Sequence, residues 1–472
     1  MRRLPHRALC GGSSFQSVAN AFLAQPGLPF LGLISAERIE RVFTKHQNLF
    51  GVGTIYSTAM LVWSFLGQVL RDGKEASCQA AVARVVSHQW DIGEAVPTSD
   101  TGDYCRARAK LSAAALKELS TEIASDVESQ ADAKWLWKGK HAKLVDGFTF
   151  TMPDTPENQA AYPQASSQKT GLGFPIARAC AILSLATACV LDVAIGPYAG
   201  KETGETALLR QMFSTLKAGD VAVLDRYYCS FLMIALMQSR GVAVCTRLHQ
   251  LRKTDFRRGK RLGPEDHLVT WTKPKRPDWM DEATYAALPE TVTQREVRIH
   301  VETPGYRTDA ITIVTTLIDA DVYTKSDIAE LYSFRWNSEL DIRDMKQSLH
   351  LSHVRCKSPA MVHRELWATL LAYNLIRTTT AAAARIHHGQ PRHISFTSTC
   401  QYLLAAWSSL SSSQLSDPEL ESRCRLLLKQ IANCEVAHRP GRVEPRELKR
   451  RRHGYKLMQQ PRESLRQQLR HN

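Results

Sequence analysis

Between residues 143 and 248 the chain changes its hydrophobic period in a definite order, and that order limits the folds open to it. KLVDGFTFTM (143–152), FPIARACAILSL (174–185) and CVLDVAIGP (189–197) are strand-like runs, the last two joined tightly enough for a hairpin. GETALLRQMFSTL (204–216) has helical spacing, and VAVLDR (221–226) is a short buried strand. YCSFLMIALMQSRG (228–241) is a helix closed by glycine, and VAVCTRL (242–248) is another strand. Three antiparallel strands followed by αβαβ is the order of a ribonuclease-H-like core. The expected fold class is therefore α/β, a small mixed sheet with helices on both faces.

The flanks set the expected organisation. Residues 1–140 read as a helical domain, and residues 141–248 as the first part of the core. Residues 249–320 read as a β-rich insertion, in which EVRIHVETPGYRTDAITIVTTLI alternates around a turn at Pro304-Gly305. Residues 321–388 complete the core with a long helix, N-capped by Ser326 and running to about His350, and a further helix over 365–386. Residues 389–472 form a C-terminal helical region with a basic tail. One charge-free run, GVGTIYSTAMLVWSFLGQVL (51–70), is long enough to cross a bilayer. It carries Thr54, Ser57, Thr58, Ser64 and Gln68, and no second such run exists, so it reads as a buried helix.

The net charge of +15 makes a polyanion the expected partner, nucleic acid rather than membrane. Residues 438–472 concentrate that charge, with eleven Arg or Lys against three Glu. The 11 cysteines are scattered without a CxxC pair, which fits a reducing compartment and argues against a disulfide framework or a zinc site. MRRLPHRALCGG is basic but is followed by no apolar stretch of the secretory type. The expected location is cytoplasmic.

Three acids fall where such a core would place chemistry. Asp146 interrupts the first strand, where aspartate is disfavoured. Asp225 ends the fourth strand, at the carboxyl edge. Glu339 lies on the helix after the insertion. A single strand aspartate is ordinarily a turn or hydrogen-bonding residue, so the order of all three on these elements carries the argument. Converging carboxylates repel unless a cation lies between them, and an all-oxygen set suits Mg²⁺ or Mn²⁺. Two such ions, about 3.5–4 Å apart, would activate a water or a 3′-hydroxyl for in-line phosphoryl displacement.

Glu339 sits in YSFRWNSELDIRDMK (332–346). At ~100° per residue, Tyr332, Arg335, Glu339 and Lys346 share an arc of roughly 60°, with Arg343 close by. A solvated face with an Arg335–Glu339 pair would look the same. The sign balance, one acid among three bases, favours an acid for metal flanked by bases for phosphate.

The spacing Tyr332–x2–Arg335–x3–Glu339–x6–Lys346 resembles the signature helix of the insertion-sequence-four family of DDE transposases. VDGFTFTMPDTPEN (145–158), LDRYYCS (224–230), GKETGETALL (200–209) and GRVEPRELKRRRHGYKLM (441–458) also resemble family segments, so the likeness runs from about residue 28 to 458. It implies that Asp146, Asp225 and Glu339 are the catalytic, metal-holding triad. Tyr332, Arg335 and Lys346 would hold phosphates of double-stranded transposon-end DNA, and Arg226 carries over with Asp225. Tyr227, Tyr228 and Cys229 stand where some relatives have further acids. Either Trp271 or Trp279, the tryptophans of the insertion, would stack on a flipped base. The resemblance further implies a homodimer pairing two ends, a DNA hairpin intermediate, and cut-and-paste transposition without a covalent protein intermediate. The rival readings are a catalytically inactive DNA-binding derivative acting as inhibitor and another ribonuclease-H-like DNA nuclease.

Overall fold

The computed structural model describes residues 36–51, 53–91, 93–300, 310–410, 417–436 and 458–471. The Pro304-Gly305 turn, residues 1–35 and most of the basic tail lie outside them. The principal elements, in chain order, begin with α1 (Thr58–Val69), α2 (Ala113–Ser129), β1 (Ala142–Thr151), β2 (Ile176–Ser184) and β3 (Val190–Pro197). There follow α3 (Glu205–Gln211), β4 (Val221–Leu224), α4 (Phe231–Gln238) and β5 (Ala243–Arg247). The region read as an insertion supplies β6 (Lys260–Gly263), β7 (Asp266–Thr272), β8 (Thr291–His300) and β9 (Ala310–Thr315). Last come α5 (Lys325–Ser333), α6 (Trp336–Ser348), α7 (Pro359–Ile386), α8 (Phe396–Leu410) and α9 (Asp417–Ala432). Shorter helices connect them.

The chain divides into two compact units. One comprises Met1–Trp135, Ala186–Leu191 and Asp341–Val436; the other comprises Leu136–Leu185, Asp192–Leu340 and Ala437–Asn472.

The first unit is helical and is organised by α7. This helix packs against α1, α2, α8 and α9, and most of its residues from Leu366 to Ala384 are buried. Every residue of α1 is buried too, with Ser57 capping its N-terminus by accepting from the Met60 amide. That explains the charge-free run: it is surrounded by protein. Among the described residues no helix is long and apolar enough to cross a membrane.

Two polar side chains of α7 are matched inside this unit. The fully buried Asn374 donates to Ser120 and to the Val190 carbonyl, and accepts from the Val190 amide. Arg377 donates to the Tyr373 hydroxyl and pairs with Asp341 at 3.0 Å and Asp344 at 2.9 Å. Asp341 also receives Arg392 at 2.9 Å. Removing one partner from such a set leaves a charge buried without compensation.

The second unit contains the sheet. Its strand order is β3-β2-β1-β4-β5-β9-β8-β7-β6. β1 is antiparallel to β2 but parallel to β4, and β4 is parallel to β5. β9 pairs antiparallel with β5, and β8, β7 and β6 continue antiparallel outward. The strands of 249–320 thus prolong the same sheet by direct backbone pairing, a continuity that alternation alone does not reveal.

The helix after the insertion differs from expectation. Its N-cap is Thr324, not Ser326, in a capping box with Asp327. It also stops at Ser333 and resumes at Trp336. Across the break, the amides of Arg335, Asn337 and Ser338 bond three residues back, to Tyr332, Phe334 and Arg335, which tightens the turn. The Ser338 hydroxyl lies within bonding distance of both the Arg335 carbonyl (2.7 Å) and Asp146 Oδ2 (2.8 Å), two acceptors for its one proton. The single polar stripe drawn from Tyr332 is therefore split between α5 and α6.

Arg377→Met is expected to cost about 3–5 kcal/mol, because two carboxylates lose their shared cation. Urea unfolding of wild type and variant measures this. A loss below about 1 kcal/mol would show that the pairing is not strongly stabilising.

Candidate active site

β1 lies between β2 and β4, and its register decides where its acid emerges. Val145 is opposite Leu224 in the parallel β1–β4 pair. The next residues are Asp146 and Asp225, so the two aspartates sit side by side where β4 ends, on strands about 4.8 Å apart. Asp225 does not extend β4: it caps a short helical turn, its carboxylate accepting from the Arg226 amide at 2.6 Å. That turn exposes Arg226 and Tyr227 and buries Tyr228.

Asp146 is the more enclosed of the two. Its Oδ1 accepts from the Gly147 amide at 2.9 Å, and its Oδ2 lies 2.8 Å from the buried Ser338 hydroxyl. Arg335 then joins the third acid. One guanidinium nitrogen is 2.6 Å from Glu339 Oε1 and another is 3.5 Å from Asp146 Oδ2. The break between α5 and α6 thus delivers three residues to β1: Arg335 from the turn, and Ser338 and Glu339 from the first turn of α6.

Burial pushes the Asp146 carboxyl above the usual carboxylate range, and Glu339 adds to the rise. Ser338, Arg335 and the Gly147 amide oppose it without cancelling it. Asp146 therefore carries a net desolvation cost in its charged form.

The other expected residues are distributed as follows. Tyr332, on α5, is buried. Arg343 and Lys346 lie one and two turns beyond Glu339 on α6, Arg343 exposed and Lys346 half-buried. Trp271, on β7, is buried, with the Arg252 guanidinium 3.7 Å from its ring centre. Trp279 is 37% exposed and carries Arg210 over one face at 3.8 Å. Trp336 is exposed, at 54%.

Two residues were not anticipated. Ser338 is the neighbour of Glu339, and its only signal is a small hydroxyl residue at the start of a helix, whose first turn meets β1 at Asp146. Glu205 is the first residue of α3, in a stretch read as helical and family-like but with no role given to its acid. Burial first, then Asp146 and Asp225, push its carboxyl up, so it lies within electrostatic reach of both aspartates.

Could these groups hold divalent cations? The donors are carboxylate oxygens without His or Cys, the set that hard cations prefer. Asp146 and Glu339 already share one positive group, the Arg335 guanidinium. Among the described residues no three acidic, His or Cys side chains are gathered closely enough to form a finished cage. The donor chemistry fits; the side chains are held by Arg335 and by backbone amides.

Fold and site together define an α/β protein with an arginine-bridged carboxylate centre where the carboxyl end of β4 meets the middle of its parallel neighbour β1. Over residues 137–375, about half of the sequence, the chain matches the family model described as the transposase DDE domain, and it belongs to that family. It is 26% identical over 349 residues to the transposase InsG of insertion sequence element IS4 from Escherichia coli K12, covering 72% of this chain and 74% of that one. It is also 28% identical to the putative transposase InsZ of the same organism, across 29% of this chain and 45% of the relative. A solved synaptic complex of the piggyBac transposase with hairpin DNA superposes at a TM-score of 0.44 and 10% identity, across 93% of this chain and 88% of that one.

Asp146→Asn tests the electrostatics. A carboxyl whose folded pKa is raised favours the folded state while protonated, and loses that contribution as pH rises. The amide does not titrate. The variant is expected to melt at a higher temperature than wild type at neutral pH, with the gap closing as pH falls into the ordinary carboxylate range. A gap independent of pH would contradict the assignment.

Proposed function

We propose that this chain is the transposase of an insertion sequence, cutting a mobile element from double-stranded DNA and joining its 3′ ends to a target. Membership of a transposase family supports the class. The observation that carries the mechanism is the convergence of Asp146 with Asp225 by strand register and with Glu339 through Arg335. The strand order β3-β2-β1-β4-β5, with its parallel and antiparallel senses, supports reading the core as ribonuclease-H-like.

In this reading Asp146, Asp225 and Glu339 would hold two Mg²⁺ or Mn²⁺ ions, which supply Lewis-acid activation of the attacking water or 3′-hydroxyl. Ser338 and the Gly147 amide orient the Asp146 carboxylate. Arg335 neutralises Asp146 and Glu339, and its guanidinium suits a forked grip on phosphate. Arg226, Arg343 and Lys346 add cationic donors for the backbone, with the Tyr332 hydroxyl as a further one. Trp279, the more exposed of the two tryptophans of the insertion, is the better stacking surface for an unpaired base. The N-terminal helices and the basic tail bind DNA beyond the reacting bond, and two copies pair two element ends.

A cleavage assay on end-containing DNA tests this. Glu339→Gln is expected to lose at least about 100-fold in cutting with Mg²⁺ or Mn²⁺, more than removal of a residue that only orients a ligand. Binding to the same DNA should persist and weaken with salt. Full activity in the variant overturns the triad. Binding without nicking by wild type points to an inactive derivative, and preference for branched DNA over element ends points to a different nuclease.

A further inference from the structure

Gly147 follows Asp146 on β1 and lies against Glu205. A Cβ built on Gly147 would stand 2.2 Å from Glu205 Cδ and 2.3 Å from Oε1. The space that a side chain on residue 147 would take is filled by the Glu205 carboxyl group, which lies against the strand beside the first aspartate. The same side chain helps to wall a cavity of about 450 Å³ that also receives Asp225, Arg178, Arg226 and His249. Glu205 thus reaches from the Asp146 strand to the space in front of Asp225.

Its own partners are poor. The Tyr228 hydroxyl donates to Oε2 at a long 3.4 Å and also touches Cys180 Sγ at 3.4 Å. Arg178 favours its charge but forms no ion pair with it; Arg178 instead stacks over Tyr198 at 4.7 Å. Among the described residues this half-buried carboxylate has no ion pair, and its charged form bears the cost of burial beside two other carboxylates.

We propose that Glu205 is a fourth carboxylate of the reaction site, which strengthens divalent-cation binding beside Asp225. Gly147 is the residue that admits it. This rests on the reading of Asp146, Asp225 and Glu339 as the reacting triad. The role is distinct from scaffolding, because a scaffold residue would stabilise the fold, whereas the charge of Glu205 repels those of Asp146 and Asp225.

Mn²⁺ titration of the full chain without DNA, followed by electron paramagnetic resonance, tests the proposal alongside thermal melting. Glu205→Gln is expected to weaken Mn²⁺ binding about 10-fold or more while raising the melting temperature of the cation-free protein. Glu205→Asp should recover part of the affinity. Gly147→Ala displaces the flexible Glu205 side chain without deleting it, so it should reproduce the loss in Mn²⁺ binding. Combining it with Glu205→Gln should add nothing further. If Asp225→Asn and Glu339→Gln weaken Mn²⁺ binding but Glu205→Gln and Gly147→Ala do not, the Glu205 proposal fails alone. If none of the four changes it, the triad reading fails as well. A lower melting temperature with unchanged Mn²⁺ affinity in Glu205→Gln would assign it a structural role.

Discussion

The parallel pairing of β1 with β4 is the constraint on which the site depends. Parallel neighbours end on the same edge of a sheet, so Asp146 and Asp225 are drawn together by backbone register. Antiparallel pairing would send the two acids to opposite edges. Because β1 is also covered by β2, Asp146 emerges half-enclosed and needs polar company. The Gly147 amide, Ser338 and Arg335 supply it. Much of the site is a local response to placing one charge inside a central strand.

The break between α5 and α6 is the second requirement. A continuous helix would carry Arg335, Ser338 and Glu339 along one straight axis. The tightened turn instead lets Arg335 touch two acids while Ser338 points at the first. The guanidinium holds two mutually repelling carboxylates together, and in the proposed reaction that work would be shared with divalent cations.

The five core strands and the two central helices were readable because β-branched runs, helical spacing and breakers all agreed, as at VAVLDR and VAVCTRL. The buried nature of α1 was readable from its hydroxyl and amide residues. The helix break was not: YSFRWNSEL has no proline or glycine, and Ser338 beyond the break meets a partner 192 residues away in sequence. Nor was the shared sheet, since alternation marks strands without naming their neighbours. Asp146 stood out because aspartate is unusual inside a strand, and Asp225 because it ends a strand at the carboxyl edge of the sheet. Glu205 was not singled out because an acid at a helix start is ordinary, and its place beside Gly147 and in the cavity with Asp225 is set by tertiary packing.

The outermost strand of the sheet has a consequence of its own. β6 is only four residues long, carries the exposed Lys260 and Arg261, and slips register between Arg261 and Gly263. An edge that is short, charged and bulged is a poor template for another strand. The sheet can therefore lengthen through the 249–320 region without becoming sticky at its tip. A second copy, or a nascent chain still folding beside it, finds no flat row of unpaired amides there to extend.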